Sequence, residues 1–229
     1  MRRLFVPLGA LLALLLVGPV ATAQDATPAA TTGTTVAGPA RTDARYFLPY
    51  GPGGLNAGLT TTATDSGVCE HGSLATPGRP DAWDCLGSTD DTIYDPCFAD
   101  PLAAPDGLHD LACAAAPWAG EVVVFRLTEP LSREKEVAPA AGEPAAAPVD
   151  EADPDPWEMP WALELANGKR CTLLTGASVV LAGERVHYGC EGGGSVLGEV
   201  DRAEPEWAVS YLEDGAVGTT LVDVSVAWA

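Results

Sequence analysis

Few residue types in this chain can do chemistry, and their spacing narrows what that chemistry is. Six cysteines stand at Cys69, Cys85, Cys97, Cys113, Cys171 and Cys190. Zinc sites use Cys-x2–4-Cys spacing, and the nearest pair, Cys85 and Cys97, lies far outside it. The imidazoles are His71, His109 and His187. His71 is two residues from Ser73 and His109 adjoins Asp110, but triad members normally meet only in the fold, and no Gly-x-Ser-x-Gly elbow is present. With 32 acidic residues, pairs able to act on a glycosidic bond arise by abundance alone. The local acid clusters, Thr89-Asp90-Asp91 and Asp150–Asp155, lack the fixed offsets around a glycine of a calcium-binding EF-hand and read as solvated loops. No catalytic residue, metal ligand or cofactor is assigned from these patterns.

The tryptophans carry more information. Six stand in the chain, and Pro-Trp recurs at 117–118, 156–157 and 160–161. Trp83, Trp118, Trp157 and Trp161 are candidate binding residues, because indole rings stack well and dominate interface hot spots. The competing role is packing, since a small disulfide-braced protein needs large buried side chains. In that role Trp157 and Trp161 pin the Pro-rich segment before them onto a sheet.

The compartment follows from the N-terminus and the cysteines. Arg2 and Arg3 precede an almost wholly apolar run from Leu4 to Val20, and Ala21-Thr22-Ala23 places small residues before Gln24. This is the pattern of a secretory signal peptide over 1–23. Arg2-Arg3-Leu4-Phe5 partly matches a twin-arginine signal, with poor flanking residues. No later segment is long and apolar enough to span a membrane. Export permits disulfides. Six cysteines allow 15 connectivities. Four precede and two follow a Pro/Ala-rich stretch, and Cys69 to Cys85 has the same separation as Cys97 to Cys113. The layout favours 69–85, 97–113 and 171–190, each worth at most about 3 kcal/mol.

The elements that must position these residues read as strands and turns. Residues 24–44 are Thr-, Ala-, Pro- and Gly-rich and are expected to form a tether. The aromatics Tyr46, Phe47 and Tyr50 are expected to dock on the core. Residues 45–133 read as a cysteine-rich, loop-dominated β module, with a short helical turn at 80–86 and a clear strand at Glu121–Leu127 (EVVVFRL) that could pair with the C-terminal half. Residues 134–156 are low-complexity Pro, Ala and acid, either a loop or a linker. Residues 157–229 read as an antiparallel meander: 162–166 and 169–174 around Asn167-Gly168, then 178–181, 185–190, 195–200, 207–212 and 219–227. The expected fold is all-β, a small antiparallel sheet, sandwich or open barrel behind a loop-rich, disulfide-braced N-terminal part.

Three stretches carry a resemblance: Arg79-Pro80-Asp81-Ala82-Trp83-Asp84-Cys85, Ile93-Tyr94-Asp95-Pro96-Cys97-Phe98, and Pro160-Trp161-Ala162-Leu163-Glu164-Leu165-Ala166-Asn167-Gly168 running on to Cys171. Over about residues 65–210 the chain resembles a group of exported, disulfide-containing proteins of high-GC Gram-positive and related bacteria. That resemblance implies disulfides and no reaction.

Charge excludes some partners. Twelve basic residues against 32 acidic ones give a formal charge of −20, which argues against nucleic acid and against an anionic membrane surface. At 47% hydrophobic residues the chain is too apolar to be wholly disordered. The expectation is an exported, non-catalytic binding or structural protein of the cell envelope or extracellular space, whose partner is an envelope component or a basic molecule. The alternative is a small secreted hydrolase using acidic residues, with or without calcium.

Overall fold

The computed structural model describes residues 41–104, 107–131, 155–176, 178–181 and 183–229. The expected leader, most of the expected tether, all but the end of the stretch 134–156, and the acids 150–153 lie outside these residues. The described residues are all-β: β1 (Asp43–Arg45), β2 (Tyr50–Gly51), β3 (Gly54–Leu55), β4 (Thr60–Gly72), β5 (Ala82–Gly87), β6 (Ile93–Ala99), β7 (Asp110–Cys113), β8 (Glu121–Leu127), β9 (Ala162–Leu165), β10 (Arg170–Leu173), β11 (Val180–Leu181), β12 (Glu184–Cys190), β13 (Ser195–Asp201), β14 (Ala208–Leu212) and β15 (Thr220–Trp228).

Strands β4 to β8 close into a five-stranded barrel. Successive strands pair antiparallel, and the seam is a parallel pairing of β4 with β8. β4 is long enough to serve both neighbours. Thr60 to Gly67 runs beside β8, and Gly67 to Gly72 runs beside β5. Gly67 belongs to both pairings, and a Cβ there would sit 2.0 Å from the Leu86 carbonyl oxygen. The seam therefore closes only with glycine at this position. The expected loop-rich module is thus a closed barrel, and EVVVFRL finds its partners within it rather than in the C-terminal half.

The second ring is the expected meander, closed on itself. β9, β10, β12, β13, β14 and β15 pair in that order, and β15 returns to β9. β15 reaches both neighbours because Thr220–Asp223 pairs with β14 and Val224–Trp228 with β9. The Asn167-Gly168 turn joins β9 to β10, with Gly168 at φ +83°, a conformation that costs glycine little. β1 adds to β15 in parallel. Thr42 and β1 thereby depart from the expected tether. The Thr42 hydroxyl donates to the Val224 carbonyl (2.7 Å) and accepts from the Trp207 N–H (2.8 Å).

Each disulfide joins residues directly opposite in register: Cys69–Cys85 across β4 and β5, Cys97–Cys113 across β6 and β7, and Cys171–Cys190 across β10 and β12. The pairing is the one favoured from the sequence layout. The alternation of the strands turns these sulfurs inward. The first barrel packs its two disulfides with Trp83, Leu111, Phe125 and Leu127. The second packs Cys171 with Leu163, Tyr188, Val196, Tyr211 and Val224. The expected helical turn at 80–86 is replaced by β5, because Trp83 and Cys85 must both face the barrel interior two residues apart.

A third core lies between the barrels. Phe47 and Trp161 pack with Ala82, Phe98, Ala112 and Val122 from the outer face of the first barrel. Phe47, Phe98 and Trp161 meet pairwise at 5.3–5.7 Å between ring centroids. At its edge Arg79 is buried, 5% exposed. Its Nη1 donates to the main-chain oxygens of Phe47 (2.8 Å) and Ala229 (2.9 Å). Its Nε and Nη2 grip Asp81 (2.9 and 2.5 Å), and its plane lies 4.7 Å from the Phe98 centroid.

Lysine cannot reproduce this planar fork. Arg79→Ala should lower stability by about 3–5 kcal/mol, because Asp81 and two carbonyls lose their partner. Arg79→Lys should lose about 1.5–3 kcal/mol. Urea midpoints of the oxidised protein test this, and a loss below about 1 kcal/mol for both variants would show that the contact is dispensable.

Candidate functional site

The outer face of β4, β5 and β6 carries the polar residues best placed for a functional role. On β5, Trp83 and Cys85 point inward, so Asp84 and Leu86 point outward. Two bulges then concentrate side chains around Asp84. On one side Cys69 pairs with Cys85 but His71 pairs with Asp84, leaving Glu70 as an extra residue. On the other side Trp83 pairs with Cys97 and Cys85 with Tyr94, so Asp95 and Pro96 together oppose Asp84. Bulges of this kind re-aim side chains. The outcome is a row across three strands: His71, Asp84, Asp95.

Asp95 is tied to the loop between β4 and β5. Its Oδ1 accepts from the Ser73 hydroxyl (2.5 Å) and its Oδ2 from the N–H groups of Leu74 and Ala75 (3.1 Å each). Ser73, only 6% exposed, also accepts from the Thr76 N–H. The proton that a nucleophilic Ser73 would surrender is thus held by a carboxylate. Burial pushes the Asp95 carboxyl above its ordinary value, and the nearby charge of Asp84 adds to the rise against the bonds from Ser73, Ala75 and Leu74. Burial likewise raises Asp84, and His71 opposes that rise.

Beyond this row the surface turns apolar. Val68, Leu86 and Ile93 stand side by side, since Val68 pairs with Leu86 and Leu86 with Ile93. Leu86 is 44% and Ile93 67% exposed. Ile93 forms a ridge between two depressions. One, of about 210 Å³, is lined by Val68, Leu86, Glu70, His71 and Asp84. The other, of about 240 Å³, reaches the edge of the barrel interior, being lined by Tyr94, Cys113 and Val123 of the first-barrel core together with Asp95, Pro96, Ala114 and Ala115.

The candidate tryptophans go elsewhere. Trp83 (6% exposed) is inside the first barrel and Trp161 (2%) is between the barrels, so a ligand could stack on neither without opening a core. Packing accounts for both. Trp118 is half-buried, with its Nε1 donating to Glu191 (2.7 Å) and the Arg170 guanidinium 5.5 Å from its ring. Trp157 is half-buried against the second barrel, edge-on to Tyr46 at 5.0 Å. None of the four joins the row around Asp84.

The other candidate residues are also dispersed. His109 Nδ1 lies 2.9 Å from the Gly107 carbonyl oxygen, and Asp110 pairs with Arg126. His187 lies on β12 of the second barrel. Asp90 accepts from the Thr92 hydroxyl within the turn. Among the described residues no group of three or more His, Cys, Asp or Glu side chains is arranged to hold a metal ion. Sequence reasoning noted His71 and Ser73 but passed over Asp84 and Asp95, which only the two bulges bring together.

No family model matches the chain, and neither a curated protein nor a solved structure does.

A carboxyl whose pKa is raised on folding binds more protons folded than unfolded, so its contribution to stability falls as pH rises through that window. Carboxyl NMR titration should place Asp84 and Asp95 above the ordinary 3.8, and Asp65 and Asp155 below it, where hydrogen bonds to Ser66 and Trp157 N–H groups favour the charged form. Asp84→Asn should lower the Asp95 value and flatten the loss of stability above pH 3.8. An unmoved Asp95 would show that the two carboxyls do not interact.

Proposed function

We propose that the protein is an exported, non-catalytic binding protein of the cell envelope or extracellular space. The observation that carries this reading is the apolar row of Leu86 and Ile93, both exposed, on a scaffold whose shape is locked by disulfides. Three disulfides are the usage of extracytoplasmic proteins, and the leader-like residues 1–23 and the resemblance to exported proteins support the same compartment. Closed barrels are rigid platforms, and rigidity lowers the ordering cost of binding.

Purified, oxidised protein should pellet with isolated envelope fractions of the producing cell, and the pelleting should survive high salt. Burying an Ile93-sized side chain contributes about 1.5–3 kcal/mol, so Ile93→Asp should weaken binding at least about tenfold. The surface variant Leu221→Ser on the second barrel, where Leu221 is 74% exposed, should bind as the parent does. Absence of pelleting at either salt would overturn the envelope reading.

One observation favours a second reading, the small secreted hydrolase: two raised carboxyls, Asp84 and Asp95, share one face with an imidazole. The bonds that engage both Asp95 oxygens weigh against it. Hydrolysis of any member of a glycoside, ester and peptide panel, abolished by Asp84→Asn, would establish that reading in place of the first.

A further inference from the structure

The second barrel carries a polar cleft of about 400 Å³ where β9, β10 and β15 meet the turn after β12, with Glu164, Lys169, Arg170, Glu191, Ser225 and Val226 in its lining. The strands dictate that company. On β9 and β10, Leu163, Leu165, Cys171 and Leu173 belong to the barrel core, so Glu164 and Arg170 face out. On β15, Val224 and Ala227 both belong to that core. Val224 pairs with Leu165 and Val226 with Glu164, so Ser225 is an extra residue at a bulge. The bulge turns Ser225 and Val226 out together, beside Glu164.

The polar side chains of the cleft are fixed by their neighbours. Glu164 accepts from the Trp228 indole N–H (3.1 Å) and from Arg170 Nε (3.4 Å). The Arg170 guanidinium lies 5.5 Å from the Trp118 ring, whose N–H donates to Glu191 (2.7 Å). Lys169 donates to the Gly193 oxygen (3.1 Å) and to Glu213 (3.3 Å), so it contributes charge to the cleft and makes its bonds elsewhere. These bonds leave the two terminal Arg170 nitrogens, the second Glu191 oxygen and the Ser225 hydroxyl without a partner among the described residues. A guanidinium fork, a carboxylate oxygen and a hydroxyl thus line one cleft with hydrogen-bonding capacity left over.

Charge decides the class of ligand. The lining holds two cations and two carboxylates, a balance unlike the chain's formal −20. The depression lined by Asp155, Glu158 and Glu199, by contrast, has acids and no base. In the balanced cleft an anion would meet Glu164 and Glu191, and a cation would meet Arg170 and Lys169. An uncharged hydroxyl both donates and accepts, so neighbouring hydroxyls can bridge Arg170 and Glu191. A peptide is less suited. β9, β10 and β15 each have a strand on either side, so none offers a free edge to its main chain.

We propose that this cleft binds a neutral saccharide, its hydroxyls hydrogen-bonded to Arg170, Glu191 and Ser225 and its carbon skeleton against Val226. The volume is that of a small-molecule site, and side chains already held in place lower the ordering cost of binding.

The test titrates the oxidised, nitrogen-15-labelled full chain with cellobiose, maltose and diacetylchitobiose, then with digalacturonic acid, diglucosamine and a capped alanine tripeptide. At least one neutral disaccharide should give saturable shifts at the Arg170, Glu191 and Ser225 amides and the Trp118 indole N–H. Both charged dimers should bind at least about fivefold more weakly. Arg170→Met should weaken binding at least about tenfold, because hydrogen bonds to a charged group are lost. Ser225→Ala, at an exposed residue, should weaken it severalfold and leave the near-ultraviolet circular dichroism unchanged. Glu191→Gln should narrow the preference for a neutral dimer over the uronic acid. Ile93→Ser, on the other barrel, should change nothing. No saturable shift with any neutral disaccharide would overturn the proposal. So would a charged dimer that binds as tightly, binding that ignores both Arg170→Met and Ser225→Ala, or the tripeptide shifting the same amides.

This site is separate from the row of Leu86 and Ile93, and the two readings fail separately. Envelope pelleting weakened by Ile93→Asp, with no saccharide shift, would remove the cleft alone. Saccharide shifts without pelleting would remove the envelope reading alone.

Discussion

A buried guanidinium organises the junction of the two barrels. Arg79 sits in the loop between β4 and β5, yet it bonds Phe47 in the N-terminal segment and Ala229 beyond the last strand. Those residues are already hydrogen-bonded to each other, with the Phe47 N–H donating to the Ala229 oxygen (2.8 Å) and the Ala229 N–H to the Arg45 oxygen (2.9 Å). One side chain thus gathers three chain segments far apart in sequence. A buried cation is costly unless paired and fully hydrogen-bonded. Asp81 supplies the charge, two carbonyls supply acceptors, and Phe98 offers its ring face. The aromatic core of Phe47, Phe98 and Trp161 then excludes water from the assembly.

The disulfides brace a different level of the structure. Each spans neighbouring strands at directly opposed positions, with Cα atoms 3.9–4.1 Å apart. They therefore pin register within each barrel and do not tie one barrel to the other. In β4 and β5 this matters because the bulges beside Cys69 and Cys85 shift the alternation. A one-residue slip would turn Trp83 outward and Asp84 inward. The covalent bond between Cys69 and Cys85 opposes that slip at the point where hydrogen-bonded pairing is least regular. The polar row and the sulfur bridge are two consequences of one local geometry.

The second barrel was legible because its strands obey simple rules. Val222 and Val224, like Val209 and Tyr211, alternate, and Asn167-Gly168 announces its hairpin. The first barrel obeys them less well. β4 is small and polar over Thr60–Ser66, with Thr60 to Thr64 exposed, so no hydrophobic period marks it. Its parallel pairing with β8 joins residues about as far apart as Thr60 and Glu121, a non-local contact that no short motif encodes. β8 could be read as a strand from its own residues, but its neighbour could not. Cysteine layout pointed to the bridges because each bridge is local. Tryptophan composition could not separate Trp161 in a core from Trp118 at a rim, since burial depends on which faces the barrels turn to each other.

Closure has a functional consequence. An open sheet can recruit a partner through its edge, using main-chain groups that every sequence shares. Along its seam the first barrel has given up that option, because β4 and β8 satisfy each other. Recognition at the seam must rest on what protrudes from the outer face. On the outer face of β4 to β6 the described groups that protrude are aliphatic along Val68, Leu86 and Ile93 and ionisable along Glu70, His71, Asp84 and Asp95, while Arg79 is turned away into the junction. The same burial that lets Arg79 hold the barrels together thereby removes positive charge from the surface. Architecture and surface composition are coupled through that one side chain: the fold gains its clamp, and the guanidinium is held in the junction and not on the outer face.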